Sequence, residues 1–371
     1  MAKKRILQII PTLVRGGAEK QMMLLATHLP ADEFETHVCT MTSDGPYREE
    51  LEAANIPIHS INKKWKFDIG AYYRLKKLIK ELKPDLVHTW IFAANSYGRY
   101  AALRSGVKSI IAGERCVDPW KRWHEFAIDR YLAKRTQGIV TNSAGVKEFY
   151  EQKGIAPESF TIIPNGISMP DRQPISEMRR VLLEALQLPP ETKLIGAIGR
   201  LWPQKRYKDL IWAADLLKCI RDDVHLLIIG DGPLRWRLEK FRDQVEIADK
   251  VHFLGERPDA KEIASCLDCF WIASDYEGQS NAVMEAMAAG VPVVASDIAG
   301  NRDLVVHDET GLLVEVGNRA GFAQMTERIL NDPDLAKRFS INSIERMQSE
   351  FSIRTMVDQY AEYYRKLLSA R

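Results

Sequence analysis

Glu277 and Glu285 are the side chains whose spacing says most about chemistry in this sequence. They lie in the run Glu277-Gly278-Gln279-Ser280-Asn281-Ala282-Val283-Met284-Glu285-Ala286-Met287-Ala288-Ala289-Gly290, between apolar stretches at 269–273 and 291–295 that are expected strands. A strand that runs through a glycine loop into a short helix aims free N–H groups and the positive end of a helix dipole at an anion. Asn281 and Glu285 are four residues apart and so share one helix face. A carboxylate on that face suits the paired hydroxyls of a ribose, and one in the loop suits the hydroxyls of a sugar. The segment therefore reads as a nucleotide-sugar site.

A second constellation, Gly199-Arg200-Leu201-Trp202-Pro203-Gln204-Lys205, follows an expected strand at 194–198. Arg200 can fork onto phosphate oxygens, and Lys205 can reach the same diphosphate as a point charge. Two cations on one loop can neutralise a leaving diphosphate, so no metal is assigned; the alternative is a pair of solvated surface charges. Gly16-Gly17, after the first expected strand, lets backbone approach a phosphate ahead of a helix N-terminus, although a plain tight turn would use the same dipeptide. It is not a full G-x-G-x-x-G, and no Walker-A sequence occurs. Gly230-Asp231-Gly232-Pro233 leaves room for a base or ribose, or forms a simple turn. Cys266-Leu267-Asp268-Cys269 lacks a second pair or a histidine cluster, so packing is its expected role rather than metal or redox chemistry. The five cysteines are odd in number and scattered, as in a reducing compartment.

Positioning these loops requires alternating strands and helices. Strands are expected at 5–10, 36–41, 58–61, 86–88, 109–112 and 138–141, with helices at 18–29, 47–54, 69–82, 96–105, 123–135 and 143–153 between them. Such alternation means a parallel, doubly wound sheet. Ile162-Ile163-Pro164-Asn165-Gly166-Ile167, with Pro170 and Pro174 beyond, is the expected linker and hinge. After Leu188-Pro189-Pro190 the alternation restarts: strands at 194–198, 224–229, 251–254 and 311–314, helices at 208–220, 234–245 and 260–266, and a helical C-terminal stretch. At 371 residues the chain has room for two domains of ~100–200 residues each. The fold expected is α/β: two Rossmann-like lobes facing a central cleft, with strand-end loops on the cleft. Residues 1–170 hold 25 Lys and Arg against 18 Asp and Glu, and residues 171–371 hold 27 against 32. The basic first half suggests an anionic partner. The Lys3-Lys4-Arg5 opening precedes an apolar run too short for a signal peptide, and nothing approaches ~18 unbroken apolar residues, so no transmembrane helix is expected.

Taken in order, Gly16-Gly17, Asn165-Gly166, Gly199-Arg200-Leu201 with Lys205, Gly230-Asp231-Gly232-Pro233, Phe253-Leu254-Gly255, Glu277…Glu285 and Gly311-Leu312-Leu313-Val314 resemble the retaining glycosyltransferases of family 4, with the GT-B fold. The resemblance spans nearly the whole chain. It implies an N-terminal acceptor-side domain at 1–170, onto which a C-terminal helix at about 353–371 packs back, and a donor domain at 171–352. It further implies transfer of a sugar from a nucleotide-diphosphate donor, most commonly UDP, with retention and without a required metal or other cofactor. Arg200 and Lys205 would stabilise the departing diphosphate, Glu285 hold the ribose and Glu277 contact the donor sugar. Gly199, Gly232, Gly278 and Asn281 would complete the donor site, and Gly16-Gly17 would close onto donor phosphate. Same-face attack, with the leaving phosphate taking the acceptor's proton, follows from retention without an evident nucleophile.

One departure concerns the first half. Where the family often has His-x-His, this chain has His88-Thr89-Trp90. His88 keeps the expected catalytic contact with the sugar, or caps the sheet. The next strand ends in Glu114-Arg115 where many relatives have His, so Glu114, Arg115 and Trp90 are expected on the acceptor side, with a structural ion pair as the alternative for the first two. Lys63-Lys64-Trp65-Lys66-Phe67, the basic helix at 69–82 and Trp120-Lys121-Arg122-Trp123 mix cations with aromatics, which suits anionic lipid headgroups and a saccharide or lipid-linked acceptor, or simply a solvated basic helix. Single-stranded nucleic acid favours the same mixture, but nothing else supports it. The expected setting is the cytoplasm or the inner membrane face. Other readings are a nucleotide-sugar-binding protein that has lost catalysis, and a sugar-nucleotide epimerase of similar architecture.

Overall fold

The structure is a computed structural model describing residues 3–170 and 175–369. It divides into two compact units, Met1–Gly166 with Ile353–Arg371, and Ile167–Ser352. The first division lies at Gly166 rather than 170, and of the expected linker, 171–174 fall outside the described residues.

The first unit runs β1 (Lys4–Thr12), α1 (Gly17–His28), β2 (Phe34–Ser43), α2 (Tyr47–Ala53), β3 (Ile58–Ser60), α3 (Ile69–Leu82), β4 (Leu86–Trp90), α4 (Ile91–Leu103), β5 (Ser109–Glu114), α5 (Trp123–Ala133), β6 (Gly138–Thr141), α6 (Ala144–Gln152) and β7 (Phe160–Ile162). The sheet order is β3-β2-β1-β4-β5-β6-β7, and every pairing is parallel. Both faces are covered, so the strands read as near-continuous apolar runs. Along β1, Ile6 and Ile10 enter one core while Leu7 and Ile9 enter the other. The sequence places the fourth helix at 96–105, but α4 starts at Ile91, directly off the strand; Ile91 turns the chain with a φ of 54° and no glycine or proline marks the corner. β7 was not among the expected strands.

The second unit runs α7 (Ile175–Ala185), β8 (Lys193–Ile198), α8 (Tyr207–Lys218), β9 (Val224–Ile229), α9 (Arg235–Gln244), β10 (Val251–Gly255), α10 (Ala260–Ser265), β11 (Cys269–Ile272), α11 (Asn281–Ala288), β12 (Val293–Ser296), α12 (Ala299–Arg302), β13 (Gly311–Val314), α13 (Arg319–Asn331) and α14 (Pro333–Glu350). Its six parallel strands lie in the order β10-β9-β8-β11-β12-β13. Leu226 and Ile228 of β9 face one core and Leu227 and Ile229 the other. The last helix, α15 (Ile353–Ser369), belongs to the first unit, where Met356, Val357, Tyr360 and Tyr364 are buried. No helix among the described residues is long and apolar enough to cross a membrane.

Candidate functional site

In the second sheet β8 and β11 are neighbours, with β9 and β10 to one side and β12 and β13 to the other. The strand order reverses there, and loops leaving such a switch point are where open parallel sheets bind ligands. Those loops carry 199–206 after β8 and 273–280 after β11, which are the two segments singled out by residue type.

Four contacts lock the loops together. The Asp275 N–H donates to the Gln204 carbonyl at 2.9 Å. Gln204 Nε2 donates to the Tyr276 carbonyl at 2.5 Å, and Arg206 pairs with Asp275 at 2.8 Å. Lys205 Nζ lies 2.5 Å from Glu277 Oε1, and the Ser274 hydroxyl donates to the same oxygen at 2.7 Å. The pair is largely but not wholly buried, with side-chain exposures of 20% and 11%. Arg206 reaches Asp275 from a left-handed turn, φ 51°, and also holds Asp209 in the first turn of α8. A two-cation loop and an acid loop are thus fixed as one surface.

Backbone closeness shapes the same corner. Gly230 has a φ of 133°, and a Cβ there would run into the Gly199 carbonyl. A Cβ on Gly300 would run into the Gly278 carbonyl. Residue 230 therefore packs backbone on backbone against 199, and 300 against 278. Tyr207, at the start of α8, donates to the Gly199 carbonyl at 2.9 Å. Gly232 sits against the Leu201 backbone, and Asp231 caps the Gly232 N–H at 2.6 Å and pairs with Arg235 at 3.0 Å.

The loop after β11 enters α11 through Gly278, Gln279 and Ser280, all buried. Asn281 and Glu285 are half-buried, one turn apart on α11. The Ser280 side chain makes no capping bond. Arg200 is exposed and stacks its guanidinium 4.8 Å from the Trp202 ring; it is not joined to the Lys205–Glu277 pair by a hydrogen bond or ion pair among the described residues. Ser274, Tyr207 and Gly300 are contributors that residue type alone does not reveal, because their roles are hydrogen bonds and a backbone approach set by the folded conformation of the loops. Cys269 is buried, which pushes its thiol up to about 12, and Cys266 is buried too; packing is their role.

The first unit corrects several expectations. His88 and Trp90 are fully buried. His88 Nδ1 lies 2.7 Å from the Tyr364 hydroxyl, Gln8 Nε2 donates to that hydroxyl at 3.1 Å, and Trp90 Nε1 donates to Gln8 Oε1 at 2.7 Å. Burial, and then the Arg115 charge, holds the His88 imidazole well below its ordinary value, so it is neutral. This chain of bonds fastens α15 to β1 and β4 and leaves His88 and Trp90 no surface for a sugar or an acceptor. Arg115 is buried on the Tyr360 hydroxyl at 3.0 Å and on Asn165. Glu114 is buried 3.5 Å from Lys121, whose ammonium also meets Asp118 at 3.1 Å and Asp129 at 3.0 Å, with Arg99 on Asp129 at 2.9 Å. Burial, helped by Asp129 and Asp118, pushes the Glu114 carboxyl up to about 7. Burial pulls Lys121 down, but the three carboxylates more than reverse it. Glu114 and Arg115 are therefore interior polar groups rather than acceptor contacts. At Gly16-Gly17 a carboxylate of the chain itself, Glu19, lies against the turn: a Cβ on Gly16 would strike it, and the Thr12 hydroxyl donates to it at 3.2 Å. Burial raises the Glu19 carboxyl.

Residues 15–169 match the family described as Glycosyltransferase Family 4, and residues 179–346 match Glycosyl transferases group 1. The chain is 26% identical over 380 residues to an Escherichia coli UDP-Gal:alpha-D-GlcNAc-diphosphoundecaprenol alpha-1,3-galactosyltransferase, covering 96% of this chain and 95% of that one. It is 29% identical over 350 residues to a Campylobacter jejuni N-acetylgalactosamine-N,N'-diacetylbacillosaminyl-diphospho-undecaprenol 4-alpha-N-acetylgalactosaminyltransferase, covering 89% and 91%. Among solved structures, Anabaena HepE in complex with UDP and glucose matches with a TM-score of 0.86 at 22% identity, over 98% of this chain and 100% of that one. At that identity the likeness is one of fold, two Rossmann-like units of the GT-B class.

Proposed function

The chain belongs to the glycosyltransferases of group 1, family 4, and from that premise we propose that it moves a sugar from a UDP-sugar to a saccharide carried on a lipid diphosphate, with retention and without a required metal. The observation that carries the donor half is the meeting of Lys205 and Glu277 on two loops at the sheet's switch point. A lysine already held on a carboxylate is prepositioned, so it can turn part of its charge to a diphosphate with little reorganisation. Arg200, exposed on the same loop, supplies the second cation. The α11 N-terminus adds N–H groups, Glu285 takes the ribose hydroxyls and Glu277 those of the sugar. In the transfer the bond from the anomeric carbon to the diphosphate oxygen breaks. The acceptor oxygen bonds to that carbon from the same face, and its proton passes to the departing diphosphate. Charge grows on the leaving group, where the two cations stand. The UDP donor and lipid-diphosphate acceptor are supported by the donor and diphosphoundecaprenol parts of the relatives' names and by the UDP in the HepE complex.

Hydrolysis of UDP-sugars without acceptor tests the reading. The wild type is expected to release UDP above background and Glu277→Ala to release far less; equal rates would leave a binding protein, and a changed sugar still on UDP would mark an epimerase. A chelator in the same assay should leave the rate intact, whereas abolition reversed by Mg²⁺ or Mn²⁺ would contradict the metal-free mechanism.

A further inference from the structure

Glu277 is held from behind as well as by Lys205. Among the described residues its side-chain hydrogen bonds fall on Oε1, donated by Lys205 Nζ at 2.5 Å and by the Ser274 hydroxyl at 2.7 Å. One carboxylate oxygen is thus pinned, and Oε2 is the one left to meet a hydroxyl. Ser274 is held in turn through its carbonyl, which accepts from the Ser296 hydroxyl at 2.7 Å. Ser296 closes β12, and its hydroxyl oxygen accepts from Asn301 Nδ2 of α12 at 3.2 Å. The same amide donates to the Ser296 carbonyl at 2.8 Å.

Ser274, Ser296 and Asn301 are fully buried. A serine hydroxyl has one hydrogen to give. With Asn301 donating to Ser296 Oγ, that hydrogen goes to the Ser274 carbonyl, and the Ser274 hydroxyl goes to the carboxylate. A buried chain in which each bond orients the next rigidifies its members and fixes one conformation. α12 also bounds the loop by contact, since a Cβ on Gly300, next to Asn301, would run into the Gly278 carbonyl beside that of Glu277. Packing alone does not call for this amide. The Ile298 N–H already bonds the Ser296 carbonyl at 2.9 Å, and Asn301 Oδ1 has no partner among the described residues. An apolar side chain of the same size would fill the place without burying a half-used polar group.

We propose that Ser296 and Asn301 are positioning residues that set which donor sugar is accepted. They hold Ser274, Ser274 holds Glu277 Oε1, and Oε2 is thereby presented to the sugar at one fixed place. The inference rests on the reading of Glu277 as the donor-sugar contact. A fixed carboxylate oxygen separates sugars that differ in the direction of one hydroxyl, because the wrong hydroxyl leaves it unpaired, whereas a carboxylate free to swing follows either. UDP alone carries no such hydroxyl and does not report on the relay.

Hydrolysis of UDP-glucose, UDP-galactose and UDP-N-acetylglucosamine tests it, with kcat and KM measured for each on the wild type, Ser296→Ala, Asn301→Leu and Glu277→Ala. UDP binding by calorimetry and thermal melts accompany the kinetics. The wild type is expected to prefer one of the three donors. Ser296→Ala and Asn301→Leu should each lower kcat/KM for that donor about 10–100-fold and shrink its lead over the others toward the ratio in Glu277→Ala. UDP should bind both variants nearly as it binds the wild type. A pair that serves only the fold would instead slow all three donors by one factor, as melting temperature and UDP affinity fall. That pattern in Asn301→Leu, which leaves the Ser296 carbonyl bonded, would overturn the proposal even if Ser296→Ala folds poorly. So would a preference left intact in Asn301→Leu, or no preference in the wild type. If Glu277→Ala hydrolyses all three as the wild type does, the donor-sugar reading of Glu277 fails and the inference falls with it. Loss in Glu277→Ala with wild-type kinetics in Ser296→Ala and Asn301→Leu would sink the relay alone.

Discussion

Lys205 and Glu277 are 72 residues apart in the chain, yet their side chains meet at 2.5 Å. Opposite charges at that distance in a partly dry corner are fixed in place only because Ser274 and the Gln204–Tyr276 bond hold the carboxylate and the loop. The charge on Lys205 is therefore aimed, and removing it should affect turnover more than fold. Lys205→Ala or Arg200→Ala is expected to lower turnover about 10²–10³-fold with the melting temperature little changed; wild-type turnover in both variants would refute the leaving-group role. These residues were legible in sequence because a charged residue in a glycine loop after a strand has few other uses. The burial of His88 and Trp90 was not legible, for the opposite reason. What buries them is Tyr364, which stands 276 residues beyond His88 and whose approach leaves no local mark.

At the scale of elements, alternation of apolar and helical segments was enough to place most strands, since parallel strands buried on both faces show as apolar runs. It failed where no punctuation residue marks a boundary, as at Trp90–Ile91, and at α7, whose stretch beyond Pro174 reads as linker. A further property of the strands appears only in three dimensions. His225 on β9 and His252 on β10 stack at the edge of the second sheet, with 2.9 Å between Nδ1 and Nε2. Burial, then the neighbouring His252 and Lys250 charges, pushes His225 down to about 4. An unfolded histidine takes up its proton near its ordinary value, so acid favours the unfolded chain until the folded ring also protonates. The stability that the neutral ring provides is present above pH 6.5 and is lost as pH falls toward about 4. Thermal melts across that window should show a steeper loss for the wild type than for His225→Phe; parallel curves would mean that the pair does not govern the edge.

At the scale of the molecule, two units each built on one parallel sheet could be read from the restart of the alternation after Leu188-Pro189-Pro190. The order of strands, and hence the switch point between β8 and β11 that gathers the loops, is a property of the folded sheet and not of any segment. The proposed donor chemistry lies in the second unit, while in the first His88, Trp90 and Arg115 tie into α15 and Glu114 into the Lys121 cluster. A ligand specific for the second unit must then stabilise the protein by mass action, about 2.7 kcal/mol at a hundred times its dissociation constant. The most direct measurement is a thermal-shift panel of UDP-, GDP- and ADP-sugars on the wild type and on Lys205→Ala. A donor site built on Lys205 and Glu277 predicts a rise of several degrees for the wild type with a UDP-sugar and a much smaller one for Lys205→Ala. No response to any nucleotide sugar, or the same response in both proteins, would contradict it.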